Sequence, residues 1–490
     1  MNACASAYQH SDCTSEIGLL LSGTGSPLYV SLTQLDTLNM QSNDTIILGA
    51  GMTGVAAGWA SGLPVYEATD RPGGICSSYY VRPGHDERLT SLPEDEEVYH
   101  FEVGGGHWIF GGDPSVHRLI ESLVDVQTYE RNSAAYFPDR DLLVPYPMQN
   151  NLRFFEDDLA AQALQEMAHG AHSSEEVETM YEWMEKYFGP TLCELFFHPF
   201  HEMYTAGLWT EIAPQDTYKS PVSLPLAIEG AFDDTPAVGY NASFIYPREG
   251  LDALSRRLAA GTEVRYGKRA VEIDPERKTV HFSDGSSERY ETLISTLPLN
   301  KMVEMTGLEV EDRVYPSPSV LVVNIGAKKG PDCPEEQWLY IPESGLDFHR
   351  VGFYSNVDNH FLPKSARGGD DHVSIYVEKA YPEGVKFDDI DTDTLGRDIV
   401  EELQDWRWIE EAEVVDPTWI DVAYTWAWPN SDWKQTSIDR LEERDIIQVG
   451  RYARWVFQGI ADSIEDGLFT GAAFREPATE QDREISMDTQ

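Results

Sequence analysis

Glycines at the spacing G-x-G-x-x-G are the first residues in the chain whose pattern points to ligand binding. They are Gly49, Gly51 and Gly54, in the segment TIILGAGMTG. Glycine here permits a tight turn and lets the main chain approach a pyrophosphate at the N-terminus of a helix. The next strand, residues 63–68, ends with Glu67, whose carboxylate can accept a hydrogen bond from a ribose hydroxyl. The pattern predicts a dinucleotide-binding βαβ unit, with a brief first helix because the interval from Gly54 to Glu67 is short.

Two further glycine-rich segments indicate that the dinucleotide is FAD. The segment RPGGICSS begins at Arg71, and an acid-ended strand followed by x-x-R-x-G-G distinguishes FAD enzymes from NAD dehydrogenases. The segment FEVGGGHWIFGG, residues 101–112, carries five glycines around a His-Trp pair. Glycine weakens a strand or helix unless the main chain must turn or lie close to a flat group. We therefore expect this loop to run along the flat isoalloxazine ring of the FAD.

The order of strand and helix patterns predicts an α/β fold with a discontinuous, Rossmann-like FAD-binding domain and inserted helical and mixed α/β substrate domains. Later strands return to the FAD-binding domain, and the glycine–arginine–aromatic segment 450–471 completes it. The expected FAD-binding residues are Gly49, Gly51, Met52, Thr53, Gly54, Glu67, Ala68, Arg71, Gly73, Gly74, Ile75, Gly105, Gly106, His107, Val271, Thr296, Gly450, Arg451 and Gly459. The predicted bounds are 44–130, 240–305 and 435–480 for the FAD-binding domain, 131–239 for the helical insertion, 306–434 for the mixed α/β insertion, 1–43 for a disordered extension or misassigned start, and 481–490 for a flexible acidic tail.

The composition is strongly acidic, with a net charge of -48 spread along the body of the chain. Such a surface is typical of proteins that work in high salt, where ions screen the self-repulsion, so we expect a halophilic, cytoplasmic protein. A basic protein partner is the alternative. The same charge disfavours nucleic acid and anionic lipid, and no apolar run is long enough to span a membrane. The five cysteines show no CxxC and no paired spacing, so no metal site is expected, and the oligomeric state stays open.

Beyond these motifs, the chain resembles the FAD superfamily that contains monoamine oxidases, protoporphyrinogen oxidase and UDP-galactopyranose mutase. Several collinear segments are most similar to the mutase: GGHWIF, VPYPMQNN, FFHPFHEMY, NASFIYP, WLYIPE and FHRVGFYSN. The resemblance implies pyranose/furanose isomerisation of a nucleotide-activated sugar, with the N5 of reduced FAD as nucleophile and NADPH or NADH as a possible reductant. It implies His107, Arg350 and His198 as catalytic residues. It implies a substrate site formed by Tyr146, Met148, Gln149, Asn241, Trp338, Tyr340, Arg350 and Trp428.

The sequence departs from the mutase pattern where the family holds its diphosphate. Arg350 keeps one clamp arginine, but the other falls at His198, a weaker and pH-dependent anion ligand. The family's diphosphate-binding tyrosine and asparagine align with Phe457 and Ala461, and a further tyrosine position becomes Trp428. Each lost charge-assisted contact weakens binding by roughly 1 to 3 kcal/mol. Four interpretations stay open: a different activated sugar, a replacement cation such as Arg248 or Lys219, oxidation of the amine oxidase or protoporphyrinogen oxidase type, or an idle flavoprotein that binds a partner.

Overall fold

A five-stranded parallel sheet carries the glycine motif. The computed structural model describes residues 44–214, 222–235 and 242–475, all of which belong to the unit Ser42–Gln490. The strand order is Val264–Arg265, Val65–Tyr66, Thr45–Leu48, Thr292–Ser295 and Ile446–Gln448. Every residue of Thr45–Leu48 is buried, as expected for a short apolar strand covered on both faces. Because the strands come from three separate parts of the sequence, the α/β fold with a discontinuous nucleotide-binding domain is confirmed.

A seven-stranded, mainly antiparallel sheet forms the second layer. Its order is Ile409–Ile420, Ser319–Lys329, His372–Tyr381, Arg350–Phe353, Trp338–Tyr340, Ser133–Phe137 and Leu142–Pro145. The last two strands correct the predicted bounds, which placed residues 133–145 in the helical insertion. All five residues of Ser133–Phe137 are buried, and a short apolar run without alternation does not distinguish a strand from a buried helix.

Three small sheets and twelve α-helices among the described residues complete the fold. The sheets are Arg88–Leu89, Ser78–Val81 with Tyr99–Glu102; Ile109–Phe110, Ser243–Pro247 with Val126–Glu130; and Ala270–Asp274, Thr279–Phe282 with Ser287–Arg289. The helices are Met52–Ser61, Pro114–Leu123, Asp157–Ala171, Met180–Leu192, His198–Tyr204, Leu224–Glu229, Leu251–Ala259, Leu299–Thr306, Tyr354–Val357, Thr392–Asp405, Trp433–Glu442 and Ile460–Ala473. None of the helices in the described ranges is long and apolar enough to cross a membrane.

The helical insertion contains a break that matters for the site. Helix Met180–Leu192 begins at a capping box formed by Thr179 and Glu182. Gly189 then leaves helical geometry at φ 77° and ψ 162°, directly before a proline. A π-helical turn, Cys193–Phe197, follows and leads into helix His198–Tyr204. A π-turn widens the helix by one residue per turn and so changes which side chains share a face.

Some predictions concern residues outside the described ranges. They are the extension at 1–43, the acidic tail at 481–490, Asn241 and the alternative cation Lys219.

Candidate active site

A cavity of about 1190 Å³ lies at the carboxyl edge of the parallel sheet. Gly49, Glu67, Thr296 and Arg451 each follow one of its strands, and all four line the cavity. The carboxyl edge is where open α/β sheets bind their ligands. Small-molecule pockets usually measure about 300 to 1,000 Å³, so this cavity is large enough for a dinucleotide and a substrate together.

The predicted glycine turn has the geometry of a pyrophosphate cradle. Gly49 has φ +94°, and a Cβ on Gly54 would lie 1.8 Å from the Gly49 carbonyl oxygen, so both positions require glycine. Gly51 is different, because its Cβ would meet no protein atom within 4 Å. It lines the cavity as the N-cap of helix Met52–Ser61, where backbone N–H groups and the helix dipole attract an anion. The open space at Gly51 fits a phosphate group.

Glu67 is fixed where the sequence predicts contact with a ribose. Its Oε2 accepts from the Ala50 N–H at 2.8 Å, and its Oε1 accepts from the N–H and hydroxyl of Thr69, each at 2.8 Å. The residue is only 7% exposed, yet it lines the cavity. Arg451, which follows the edge strand Ile446–Gln448, lines the same cavity, and its buried Nε has no hydrogen-bond partner among the described residues. These donors and acceptors fit FAD.

Most of the predicted cofactor residues line this cavity. They are Gly49, Gly51, Met52, Thr53, Glu67, Gly73, Gly74, Ile75, Gly106, His107, Val271, Thr296, Arg451 and Gly459. Five do not: Gly54, Ala68, Arg71, Gly105 and Gly450. Gly54 and Gly450 pack beneath the turn, and the Arg71 guanidinium pairs with Asp70 at 2.9 Å.

The loop around His107 contacts the large sheet as well as the cavity. A Cβ on Gly106 would lie 2.0 Å from the hydroxyl oxygen of Tyr376, and one on Gly105 would lie 3.1 Å from Glu378 Oε1. The glycines are therefore required by close packing against strand His372–Tyr381, in addition to the expected approach to a flavin. Burial lowers the pKa of His107 to about 4, assisted by Arg451 and Arg350 and opposed by Glu378. The imidazole on the cavity wall is consequently neutral at pH 7.

Arg350 lines the cavity but is already paired. It lies directly opposite Glu378 on the neighbouring antiparallel strand, and its Nε donates to Glu378 Oε2 at 3.0 Å. Its Nη2 donates to the same oxygen and to the Tyr424 hydroxyl at 3.1 Å. Burial opposes ionisation of Glu378, but Arg350 and His349 outweigh it and lower the pKa of Glu378 to about 2. The pair is therefore ionised, and its charges cancel locally.

Aromatic rings surround this ion pair. Tyr204 lies 4.5 Å from Tyr424 and 5.4 Å from His349, measured between ring centroids, and Tyr146 lies 4.4 Å from Tyr340. The apolar wall also includes Met180, Trp183, Met184, Phe196, Phe197, Phe200 and Trp426. Such a wall excludes water and binds flat apolar groups.

The predicted substrate residues divide between the cavity and the surrounding core. Tyr146, Tyr340 and Arg350 line the cavity, as does Phe457. Met148, Gln149 and Trp338 are buried but are not part of the lining. The Trp428 Nε1 donates to the Val314 carbonyl at 2.8 Å, and its ring stacks under Arg313, outside the cavity. The alternative cation Arg248 pairs with Asp125 at 3.1 Å and lies outside the lining too.

His198 is not brought to the cavity, in contrast to its predicted clamp role. Its Nε2 lies 3.0 Å from Glu185 Oε1, and its ring stacks on Tyr181. The π-turn before His198 leaves Phe197 and Phe200 in the cavity wall and His198 outside it. Burial lowers the pKa of His198.

Sequence reasoning missed several residues around the ion pair. Glu378, His349 and Tyr424 were not predicted, because their proximity depends on strand pairing and tertiary packing. Tyr204 could have been found, since it ends the quoted segment FFHPFHEMY.

A parallel sheet with a glycine turn, an acid after its second strand and a cavity closed by a second sheet define an FAD-dependent enzyme. Residues 63–430 match the family of flavin-containing amine oxidoreductases, and the chain belongs to that family.

Similar solved structures agree with this fold. A reduced UDP-galactopyranose mutase is 21% identical with a TM-score of 0.72, and the match covers 91% of this chain and 96% of that one. A protein described as a protoporphyrinogen oxidase from Exiguobacterium is 15% identical with a TM-score of 0.62, covering 92% and 100%. A putrescine oxidase is 15% identical with a TM-score of 0.52, covering 88% and 98%. At these identities the similarity concerns the fold alone.

Proposed function

We propose that the protein is an FAD-dependent oxidoreductase whose substrate is a largely apolar small molecule without a diphosphate. The observation that carries this proposal is the ion pair between Arg350 and Glu378 inside an aromatic cavity. A free arginine in that position would attract an anion. A neutralised arginine provides hydrogen bonds without a net charge, which suits an uncharged or weakly cationic substrate.

The charges along the cavity support this choice. Among the described lining residues, four are basic (Arg269, Lys301, Arg350 and Arg451) and five are acidic (Glu67, Glu272, Glu304, Glu378 and Asp421). Lys301 pairs with Asp421 at 3.2 Å, so its charge is also compensated. FAD itself brings a diphosphate. A second diphosphate would therefore enter a cavity with no surplus positive charge, where Arg350 and Lys301 are already paired with carboxylates, and it would pay a desolvation cost.

The residues of the chain then have separate tasks. Gly51, Glu67 and Arg451 would hold FAD, which would supply two-electron oxidation of the substrate. Tyr204, Tyr340 and Trp426 hold the substrate and exclude water, which strengthens the remaining polar contacts. The Tyr424 hydroxyl, ordered by Arg350 and Glu378, gives a fixed polar contact. The neutral His107 imidazole lies on the same wall and can accept or donate one hydrogen bond.

A second candidate is isomerisation of a nucleotide sugar, as in the similar mutase. The observation that favours it is that Arg350, Tyr340 and Tyr146, all predicted from the mutase-like segments, line one cavity. It would require reduced FAD, with NADPH or NADH as the electron source, and a cytoplasmic supply of the sugar.

The two candidates are separated by assaying one holoprotein in two redox states. In the first assay the oxidised protein is mixed anaerobically with amines and with porphyrinogens, the compounds after which the similar putrescine oxidase and protoporphyrinogen oxidase are named, and bleaching of the flavin is followed by stopped flow. In the second, dithionite-reduced protein is incubated with UDP-galactopyranose, and its furanose isomer is sought by chromatography. We expect bleaching and no furanose.

Two variants test whether bleaching of the flavin depends on the cavity. Tyr204→Ala removes a ring from the cavity wall, whereas Phe469→Ala removes an exposed ring outside the lining. We expect the first to slow bleaching at least tenfold and the second to leave it unchanged. Furanose formation without bleaching by any oxidisable compound would overturn the proposal in favour of the second candidate.

A further inference from the structure

Three side chains with metal-ligating atoms converge on the helical insertion, outside the active-site lining. Ligand atoms of Glu185, Cys193 and His198 all lie within 4.8 Å of one another. The His198 Nε2 is 3.0 Å from Glu185 Oε1, and this buried nitrogen makes no hydrogen bond of good geometry among the described residues. Cys193 is fully buried and not in a disulfide.

The backbone break described above brings these residues together. In a regular α-helix, residues five apart point about 140° away from each other. The π-turn Cys193–Phe197 has one more residue per turn, and its closing bond runs from the His198 N–H to the Cys193 carbonyl. Cys193 and His198 therefore face the same way. The kink at Gly189 then turns the preceding helix so that Glu185 meets them. π-turns are rare, and they occur frequently at functional sites.

The chemistry of this set suits one class of metal. Thiolate, imidazole and carboxylate together are ligands of Zn²⁺, which takes three protein ligands and a water in tetrahedral geometry. Bond lengths of about 2.0 to 2.3 Å require ligand atoms about 3.3 to 3.8 Å apart. Closing the observed separations to that range needs shifts of about 1 Å, which side-chain rotations supply.

The charges around the set also suit a cation. Glu166, Glu185 and Glu194 all act electrostatically on the Cys193 sulfur. Three carboxylates around one sulfur give this position a negative potential, which attracts a divalent ion. The side chains of Glu185 and His198 are 28% and 19% exposed, so an ion has a path from solvent.

We propose that Glu185, Cys193 and His198 form a zinc site that braces the wall of the substrate cavity. The site joins helix Met180–Leu192 to the segment after its kink. The same two segments carry Met184, Phe197 and Phe200 in the cavity wall. Zinc at this position holds the wall in one arrangement. The site is independent of the reaction catalysed, so it stands whichever function the enzyme assays support.

The test is zinc binding by the full-length holoprotein after removal of any affinity tag. The protein is stripped with EDTA, loaded with Zn²⁺, and washed in buffer containing excess Mg²⁺, because its many surface carboxylates bind divalent ions weakly. Metal analysis gives the stoichiometry, and zinc-edge X-ray absorption identifies the ligands. We expect one zinc per chain with one sulfur at about 2.3 Å and nitrogen or oxygen at about 2.0 to 2.1 Å.

Three variants test whether Cys193 provides the sulfur ligand of the zinc ion. Cys193→Ser and His198→Gln should each weaken zinc binding at least tenfold, and Cys193→Ser should also remove the sulfur signal. Cys333→Ser, which changes another described free cysteine, should keep both. Zinc should raise the Tm of the wild type and of Cys333→Ser but not that of the two ligand variants, and flavin absorbance reports folding in every case. Zinc without a sulfur ligand, or equal zinc binding in wild type and Cys193→Ser, would overturn the site.

Discussion

Arg350 and Glu378 stand directly opposite each other on antiparallel strands, and the arginine directs two N–H groups at a single carboxylate oxygen. The side chains are 23% and 4% exposed, respectively, so the pair is largely withdrawn from water. Tyr424 contacts both partners. Arg350, which was predicted to bind a diphosphate, is therefore already paired with a carboxylate. Two predictions depend on this ion pair.

Glu378→Gln should create affinity for a nucleoside diphosphate. Removing the carboxylate charge frees Arg350 for bidentate contact with phosphate oxygens, a contact of roughly 1.5 to 3 kcal/mol. We expect UDP to bind at least tenfold more tightly to this variant than to the wild type in isothermal titration calorimetry. Glu291→Gln, which alters an exposed partner of Lys278, is the control and should bind UDP as the wild type does. Tight UDP binding by the wild type, unchanged in Glu378→Gln, would contradict the proposed substrate class.

The same substitution should change stability in a pH-dependent way. The pKa of Glu378 is about 2 in the folded protein, against an ordinary value of 4.5. A carboxylate with a depressed pKa stabilises the fold above its ordinary pKa, and this contribution is lost as the pH falls from about 4.5 towards about 2. At 1.36 kcal/mol per pKa unit, the stability gap between wild type and Glu378→Gln should narrow by about 2 kcal/mol from pH 6 to pH 3. Urea unfolding at both pH values measures the gap, and a gap that stays constant would mean that folding does not lower the pKa of Glu378.

Gly51→Ala should separate cofactor binding from folding. The new Cβ would meet no protein atom, and φ is –64°, which alanine adopts freely. It would project into the space at the helix N-terminus where we place the pyrophosphate. We expect apoprotein stability to change by less than about 0.5 kcal/mol, while the Kd for FAD rises at least tenfold. Fluorescence titration of the apoprotein gives the Kd, and Gly368→Ala, another position with open space, is the control. Unchanged FAD affinity would show that the cofactor lies elsewhere in the cavity.

Gly106→Ala should destabilise the protein, because the loop around His107 packs closely against the seven-stranded sheet. Its Cβ would lie 2.0 Å from the Tyr376 hydroxyl, and overpacking of this kind costs about 1 to 3 kcal/mol. Combining it with Tyr376→Ala should give a loss smaller than the sum of the two single losses, since the second change removes the clash. Urea unfolding of the wild type, the two single variants and the double variant gives the four free energies of this double-mutant cycle. Strict additivity would mean that the loop does not press on Tyr376.

The sequence predicts those parts of the site that depend on residues close together in the chain, and it misses those that depend on contacts between distant residues. Gly49, Gly54 and Glu67 were predicted because a strand, a turn and a helix that adjoin in sequence determine their positions. The Arg350–Glu378 pair was not, because it depends on the register of two strands that a hairpin turn does not join. His198 was predicted to line the cavity because FFHPFHEMY resembles a mutase segment. The π-turn before it, which no local sequence pattern indicated, places it outside the lining. The convergence of Glu185 with Cys193 was missed for the same reason.

The acidic composition gives a prediction for the whole protein. With a net charge of -48, the folded chain repels itself more strongly than the expanded unfolded chain does, and salt screens this repulsion with a Debye length of about 10 Å at 0.1 M and about 3 Å at 1 M. We expect the Tm of the holoprotein to rise by more than about 10 °C between 0.1 and 2 M KCl, which corresponds to about 10 kcal/mol for a chain of this size, at about 2.1 cal/mol/K of unfolding entropy per residue. Differential scanning calorimetry at fixed pH measures the rise, and lithium chloride at matched ionic strength controls for effects of the particular cation. Greatest stability at low salt would contradict the halophilic interpretation of the charge and favour a basic partner that neutralises it.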